Sequence, residues 1–150
     1  MKLNSIFKKI CISSDHAGYN LKEYIKSYFI NKEIPLIDLG PHKTNSVDYP
    51  DYAKKIAKRV ASKRSDIGIL VCGSGTGMAI SANKTKGIRA AVCYNAKSTR
   101  LSREHNNANI LSIGARFISA EKVHTIIDIW LGEAFAGGRH EKRIKKLDDL

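Results

Sequence analysis

Short apolar runs alternate with longer amphipathic segments along most of this chain. The runs are rich in Ile, Val and Leu, which is typical of strands buried on both faces, and they cover residues 9–14, 35–39, 67–71, 89–93 and 109–114. Helices are predicted over residues 20–31, 51–63, 78–84, 95–105 and 120–131. Apolar residues at intervals of three and four indicate the first, second and last of these, and Asn95 is a suitable cap for the fourth. A basic helical turn is expected before the final residue, Leu150.

Five strands that alternate with helices over short connections predict a parallel sheet covered by helices on both faces. We expect a single α/β domain over residues 1–150, with the strand order 2-1-3-4-5. In such a sheet a ligand binds at the carboxyl ends of the strands, where the winding changes direction. For this order the crevice lies between strands one and three, so it joins the turn at Asp15 and His16 to the turn at residues 72–77.

Composition restricts the class of protein. The chain is 43% hydrophobic and 27% charged, which is ordinary for one globular domain, and no apolar run approaches the roughly 20 residues of a membrane span. The opening MKLNSIFKK is a poor signal peptide. Three widely spaced cysteines fit neither a disulfide framework nor a zinc site. These features predict a cytoplasmic protein with reduced thiols and no membrane partner.

The net charge of +12 suits an anionic substrate or a nucleic acid. The basic residues are spread over most of the predicted helices, and aromatic residues do not alternate with them as a stacking platform requires. We therefore expect no nucleic-acid partner, although a nucleotide- or nucleic-acid-binding module stays open as an alternative from another functional class.

The glycine-rich turn after the third predicted strand, CGSGTG, is the strongest candidate for a ligand site. It lacks the spacing GxGxxG of dinucleotide-binding turns and the GK[ST] of nucleotide P-loops. Cys72 stands where the strand becomes the turn, near the positive end of the following helix dipole, which favours a thiolate. We interpret Cys72 as the reactive group and the glycines as an anion cradle; an inert core cysteine is the alternative.

Two histidines have neighbours that suit chemistry. His16 follows Asp15 at the end of the first predicted strand, where the pair could act as an acid and base or contact an anion. A helix-capping Asp beside an exposed His explains the same pattern. His105 and Asn106 end a helix just before the fifth predicted strand. The simpler interpretation is that His105 only neighbours the C-terminus of that helix and takes no part in chemistry.

Three arginines are candidates for phosphate binding. Arg139 and Arg143 stand four residues apart, so a helical turn places both guanidinium groups on one face. Two such groups can hold a phosphate through forked hydrogen bonds, although a solvated basic tail is the alternative. Arg116 follows the fifth predicted strand, where contact with a ligand is expected.

Six motifs together resemble the ribose-5-phosphate isomerase B family. They are SDHAG (14–18), VDYPDYA (47–53), CGSGTGMAISANK (72–84), GIRAAVC (87–93), SREHNNANIL (102–111) and GGRHEKRI (137–144). The resemblance extends from Lys9 over the rest of the chain. It implies a Rossmann-like three-layer αβα sandwich, interconversion of ribose 5-phosphate and ribulose 5-phosphate in the pentose phosphate pathway, and no metal or cofactor. It also implies a homodimer with sites at the subunit interface, or a dimer of such dimers.

The resemblance also implies individual roles. Cys72 would be the base that moves a proton between C1 and C2, His105 would open the furanose ring, and Ser74 would stabilise the enediolate with the amides of the turn. The substrate would be bound by Asp15 and Tyr49 at its hydroxyls, by His16, Arg116, Arg139 and Arg143 at its phosphate, and by Asn106, Gly73, Gly75, Thr76 and Gly77 near the enediolate.

Two further features of the sequence indicate which branch of this family the chain resembles. One branch of the family has a glutamate in the glycine turn in place of the cysteine, and this chain has Cys72 and no such glutamate. The related galactose-6-phosphate isomerase subunits carry a different residue where His16 stands. A six-carbon substrate such as allose 6-phosphate stays open as an alternative, because the sequence does not show the depth of the pocket.

Overall fold

The computed structural model describes residues 5–150, and it contains the predicted alternation of strands and helices. The strands are β1 (Ile10–Ser14), β2 (Ile37–Asp38), β3 (Ile67–Cys72), β4 (Ala90–Val92) and β5 (Ile110–Gly114). The helices are α1 (Tyr19–Asn31), α2 (Tyr49–Ala61), α3 (Thr76–Ala82), α4 (Ala96–Glu104), α5 (Ala120–Gly132) and α6 (Arg139–Asp148). Residues 1–4, at the start of the basic opening segment, lie outside the described residues.

All strand pairs in the sheet are parallel, and the order is β2-β1-β3-β5-β4. The predicted order 2-1-3-4-5 is therefore wrong in its last two positions. Strand β5 is buried over its whole length, whereas the three residues of β4 are only half-buried. The more apolar β5 accordingly pairs with β3, and the short β4 takes the outer position. Because β1 and β3 remain neighbours, the predicted crevice keeps its place.

Helices cover both faces of the sheet, which confirms the three-layer αβα sandwich. On one face, Phe29 of α1 and Trp130 of α5 are fully buried against the strands. On the other face, Ile56 of α2 and Met78 of α3 are fully buried. At about 25 cal/mol per Å² of apolar surface removed from water, these two layers supply the main stabilisation of the fold.

Several elements differ from the predicted bounds. Helix α3 begins at Thr76, two residues earlier than expected, because Gly75 adopts a φ of +81° and turns the chain directly into the helix. The expected basic turn at the C-terminus is a ten-residue helix, α6. Strand β2 is reduced to Ile37–Asp38. Within residues 5–150, no helix is both long and apolar enough to cross a bilayer.

The outer side of β4 is paired within the chain. The Asn83 side chain donates to the carbonyl of Ala90 (3.0 Å) and accepts from the Ala90 N–H (2.8 Å). Alternate residues of a strand direct their backbone groups to opposite sides, and the neighbouring Arg89 carbonyl accepts from β5. Asn83 therefore occupies the position that another strand would take beside Ala90.

Gly18 allows the turn after β1 to pack against the end of β3. A Cβ at this position would lie 2.1 Å from the carbonyl oxygen of Val71. We expect Gly18→Ala to lower the free energy of unfolding by about 3 kcal/mol, because backbone atoms rather than a flexible side chain must move. Urea unfolding measures this loss. Gly87→Ala is the control for strain alone, since Gly87 has a φ of +85° but open space around its Cβ position. A smaller loss for Gly18→Ala than for Gly87→Ala would contradict the packing argument.

Candidate active site

The Cys72 sulfur lies at the carboxyl end of β3, at the mouth of the crevice. It accepts a hydrogen bond from the Gly75 N–H at 3.0 Å, and the residue is 4% exposed. A nearly desolvated sulfur that accepts an amide N–H is well suited to act as a base.

The two other cysteines are in a different environment. The Cys11 thiol donates to the Ile67 carbonyl, and the Cys93 thiol donates to the Ser102 hydroxyl. Burial raises the pKa of both of these thiols. Cys72 differs from both, because its sulfur accepts a backbone N–H whereas their thiols donate.

The glycine turn is fixed by bonds that involve its own backbone. The Thr76 N–H donates to Ser74 Oγ (3.2 Å), the Ser112 hydroxyl donates to the Gly75 carbonyl (2.6 Å), and the Tyr94 hydroxyl donates to the Ser74 carbonyl (3.1 Å). Two of the five amides in residues 73–77, those of Gly75 and Thr76, thus donate to side chains of the turn itself. The sequence-based expectation had directed all five at a ligand. In the structure these two instead hold the sulfur and the Ser74 hydroxyl in place.

The turn after β1 lies beside this loop, as the sequence predicts. The Asp15 N–H donates to the Val71 carbonyl (3.1 Å), and the Asp15 carboxylate accepts from the Gly18 N–H (2.9 Å). Exposed His16 accepts the Val47 N–H on its Nδ1 (3.1 Å). With Nδ1 used as an acceptor, the neutral imidazole carries its proton on Nε2 and presents it as a donor.

Two glycines of the loop make room for side chains that belong to the site. A Cβ on Gly77 would lie 2.9 Å from the Tyr49 ring, and a Cβ on Gly73 would lie 2.8 Å from Arg116 Nη1. Tyr49 is 43% exposed and Arg116 is also exposed. A phenol and a guanidinium therefore pack directly on the loop that follows Cys72.

A buried lysine that sequence reasoning missed supports the turn after β1. Lys22 is fully buried, and its Nζ lies 2.8 and 2.9 Å from the two Asp38 carboxylate oxygens and donates to the Pro41 carbonyl (2.9 Å). Asp38 also accepts the Gly40 N–H, and the Gly40 carbonyl accepts the N–H of Ser14. This ion pair ties the end of β2 to the end of β1. The sequence did not reveal this role, because a lysine in an amphipathic helix is expected to point to solvent.

The remaining predicted residues form a second group around the C-terminus of α4. His105 caps that helix, and exposed Asn106 follows it. The segment before α6 returns to the same place, because the Ala136 N–H donates to the Glu104 carbonyl (3.0 Å). Arg139 and Arg143 lie one turn apart at the start of α6.

Buried Arg103 fixes the end of α4, and its position in the helix pattern did not reveal this function. Its guanidinium donates to the Glu133 carbonyl, the Ala108 carbonyl and the Asn107 side chain, at 2.7–3.1 Å. Desolvation lowers the pKa of Arg103 to about 10, so the group stays charged at neutral pH. Arg103 thereby connects the end of α4 to the segment that leads into α6.

The two groups lie at opposite ends of the sheet. Helix α4 connects the carboxyl end of β4 to the amino end of β5, so it ends at the amino end of the sheet. Cys72 is paired with Gly114, at the other end of β5. At 3.3 Å per residue, the four steps from Ile110 to Gly114 place the two ends of β5 about 13 Å apart. We call these sets the carboxyl-end group (Asp15, His16, Tyr49, residues 72–77 and Arg116) and the amino-end group (His105, Asn106, Arg139 and Arg143).

One chain therefore does not bring all the predicted residues together. Among residues 5–150, no cluster of three or more His, Cys, Asp or Glu side chains is arranged to hold a metal ion. The carboxyl-end group offers a sulfur base, a hydroxyl and hydrogen-bond donors. The amino-end group offers an imidazole and two guanidinium groups. A sulfur base and an imidazole, together with guanidinium groups that bind anions, define a class of protein that moves protons on a small anionic substrate.

Comparison with known proteins agrees with this class. The model of the family described as Ribose/Galactose Isomerase matches residues 10–147. The chain belongs to that family. Ribose-5-phosphate isomerase B of Escherichia coli is 42% identical over 140 residues, which cover 93% of this chain and 94% of that protein. The resemblance to ribose-5-phosphate isomerase B is thereby confirmed.

Solved structures of relatives have the same fold. A ribose 5-phosphate isomerase from Thermotoga maritima superposes with a TM-score of 0.93 at 51% identity, covering 95% of this chain and 98% of that one. Ribose-5-phosphate isomerase B from Mycoplasma genitalium, solved with bound ribulose-5-phosphate, superposes with a TM-score of 0.89 at 40% identity, covering 93% of each chain. These matches confirm the Rossmann-like architecture.

Proposed function

We propose that this protein is an aldose–ketose isomerase that interconverts ribose 5-phosphate and ribulose 5-phosphate through an enediolate. The observation that carries the proposal is the Cys72 sulfur, which accepts an amide N–H in the crevice of a chain 42% identical to ribose-5-phosphate isomerase B. The Cys72 sulfur is largely withdrawn from water, and it accepts a backbone N–H instead of donating to a carbonyl.

In the proposed reaction, the Cys72 thiolate removes the proton from C2 of the open-chain sugar. The electrons move towards the C1 carbonyl and form an enediolate. The hydroxyl proton of O2 then passes to O1, and return of the proton from Cys72 to C1 gives the ketose with its carbonyl at C2. Ser74 stabilises the developing negative charge together with donors of the glycine turn. Asp15 and Tyr49 bind sugar hydroxyls, which fixes the reacting carbons beside the sulfur.

We assign ring opening and phosphate binding mainly to the amino-end group. His105 moves the proton between the ring oxygen and the anomeric hydroxyl, and Asn106 binds beside the enediolate. Arg139 and Arg143 bind the phosphate with His16 and Arg116, because guanidinium groups form paired hydrogen bonds with phosphate oxygens. The carboxyl-end and amino-end groups have to meet for this reaction to occur.

We therefore propose a homodimer in which the amino-end group of each subunit faces the carboxyl-end group of its partner. Two-fold symmetry makes both composite sites identical. The length of β5, about 13 Å between its two ends, supports this arrangement over a site within one chain. The buried, unpaired thiols of Cys11, Cys72 and Cys93 support a reducing, cytoplasmic location.

The direct test is conversion of ribose 5-phosphate to ribulose 5-phosphate by the purified protein in the presence of a chelator. Allose 6-phosphate is assayed in parallel, because a six-carbon substrate is the second candidate. A value of kcat/KM at least tenfold higher for the five-carbon sugar is expected. The reverse preference would assign the six-carbon reaction, and absence of both reactions would contradict the proposed function.

Removal of the two guanidinium groups is expected to weaken substrate binding. For Arg139→Ala with Arg143→Ala we expect KM for ribose 5-phosphate to rise by about 100-fold, because each charge-assisted hydrogen bond contributes roughly 1.5–3 kcal/mol. Initial rates over a range of substrate concentrations measure this effect. Lys142→Ala with Lys146→Ala is the control, since both lysines lie on the same basic helix outside the site. Equal KM values in the two double variants would place the phosphate elsewhere.

A further inference from the structure

The ring of His140 lies flat on the ring of His105. The two ring centroids are 4.3 Å apart and the planes differ by 15°. His140 belongs to the first turn of α6, and His105 ends α4, so the contact joins two elements that are 35 residues apart along the chain. The proposed function gives His105 a role and leaves His140 without one.

The chain is shaped to bring these rings together. Gly137 and Gly138 have φ values of +68° and +57°, a conformation that side chains rarely adopt. These two positive-φ glycines follow the bond between Ala136 and Glu104, and α6 begins immediately after them. The first turn of α6 is thereby directed back towards the end of α4. The stacking is the result of specific backbone geometry at the start of α6.

The charges around His140 favour a neutral ring. Partial burial lowers the pKa of His140, and positive charge on His105, Arg139 and Arg143 lowers it further, against the opposing effect of Glu104. At neutral pH the ring therefore lies against His105 as an uncharged aromatic surface. Such a surface restrains the plane of the neighbouring imidazole without competing for its proton.

We propose that His140 is a positioning residue for ring opening, acting through His105. The inference rests on the proposed function, in which the His105 imidazole transfers a proton between the ring oxygen and the anomeric hydroxyl of ribose 5-phosphate. Such a transfer needs the imidazole within hydrogen-bonding distance and in the correct plane. The stacked ring of His140 holds that plane, because rotation of His105 about its side-chain bonds would break the 4.3 Å contact.

The chemistry of the two sugars separates ring opening from isomerisation. Ribose 5-phosphate is mostly a furanose and has to be opened before C2 can react. Ribulose 5-phosphate stays open, because its O5 is esterified and no stable ring can form. Exchange of the C1 proton of ribulose 5-phosphate with deuterium oxide therefore reports proton transfer by Cys72 without ring opening. Turnover of ribose 5-phosphate reports both steps.

His140→Ala is expected to lower kcat for ribose 5-phosphate by about tenfold or more while deuterium exchange into ribulose 5-phosphate stays within about threefold of the unaltered protein. His140→Phe keeps a flat ring in the same place, so we expect it to restore kcat to within about threefold. His124→Ala is the control, since that histidine also stacks on aromatic rings, those of Tyr24 and Tyr28, but lies on another face.

Three results would overturn the proposal. An unchanged kcat in His140→Ala would show that the contact has no effect on the reaction. Equal losses of turnover and exchange would show a general structural role, and a loss in His140→Phe as large as in His140→Ala would show that the nitrogen atoms matter rather than the stacked ring. Absence of both reactions in the unaltered protein would instead overturn the proposed function, so the two failures are distinguishable.

Discussion

Cys72→Ala is expected to lower kcat for ribose 5-phosphate by about 10³-fold or more, because general-base catalysis at the reacting carbon contributes that range of rate. Binding should change little, since the hydroxyl and phosphate contacts come from other side chains. Kinetic assays measure kcat, and calorimetric titration with ribose 5-phosphate measures Kd.

The matched control for this change is Cys93→Ala. It removes a thiol that is as buried as Cys72 but donates to Ser102 instead of accepting an amide N–H. We expect near-normal kcat for Cys93→Ala, with a modest loss of stability from the small cavity. A kcat for Cys72→Ala close to that of the unaltered protein would show that another group is the base.

Mixing two inactive variants is expected to restore activity. Cys72→Ala removes a group at the carboxyl end of the sheet, and His105→Ala removes one at the amino end. In a two-fold dimer with composite sites, a mixed dimer contains one site with both groups intact. Random exchange of subunits at equal concentrations should therefore give about one quarter of the unaltered activity. The measurement is turnover after the variants are unfolded and refolded together.

A second mixture provides the control for this experiment. Cys72→Ala and Ser74→Ala both alter the carboxyl-end group, so every site in their mixed dimer lacks one of the two side chains. We expect this mixture to gain no activity beyond that of the separate variants. If mixing Cys72→Ala with His105→Ala also gains none, while each variant still forms dimers, the composite site is not between subunits.

The periodicity of the sequence was enough to predict the layers of the fold, because burial on both faces leaves a clear apolar pattern in β1, β3 and β5. The same pattern did not predict which strand lies beside β3. Strands β4 and β5 both contain small and branched residues, and the choice depends on how much of each is covered by α3 and α5. Strand order is a property of the packed structure, so the last two positions were wrong.

Part of the candidate site could likewise be predicted from the sequence, and part could not. Cys72, Asp15 and His16 follow strands whose carboxyl ends meet, and parallel topology alone brings them to one crevice. The stacking of His140 on His105 could not be predicted, because it depends on the positive φ angles of Gly137 and Gly138. These residues are 30 or more positions from His105, and no local period relates them.

The pairing of Asn83 with Ala90 limits how two copies of this chain can associate. Its amide reproduces both backbone bonds of a neighbouring strand, so a second molecule cannot extend the sheet beside Ala90. The sheets of two molecules therefore cannot join into one continuous sheet at that residue. At this edge, contact between copies beside Ala90 has to use side chains, and this is the kind of contact that can deliver a histidine and two arginines to a neighbour's sulfur.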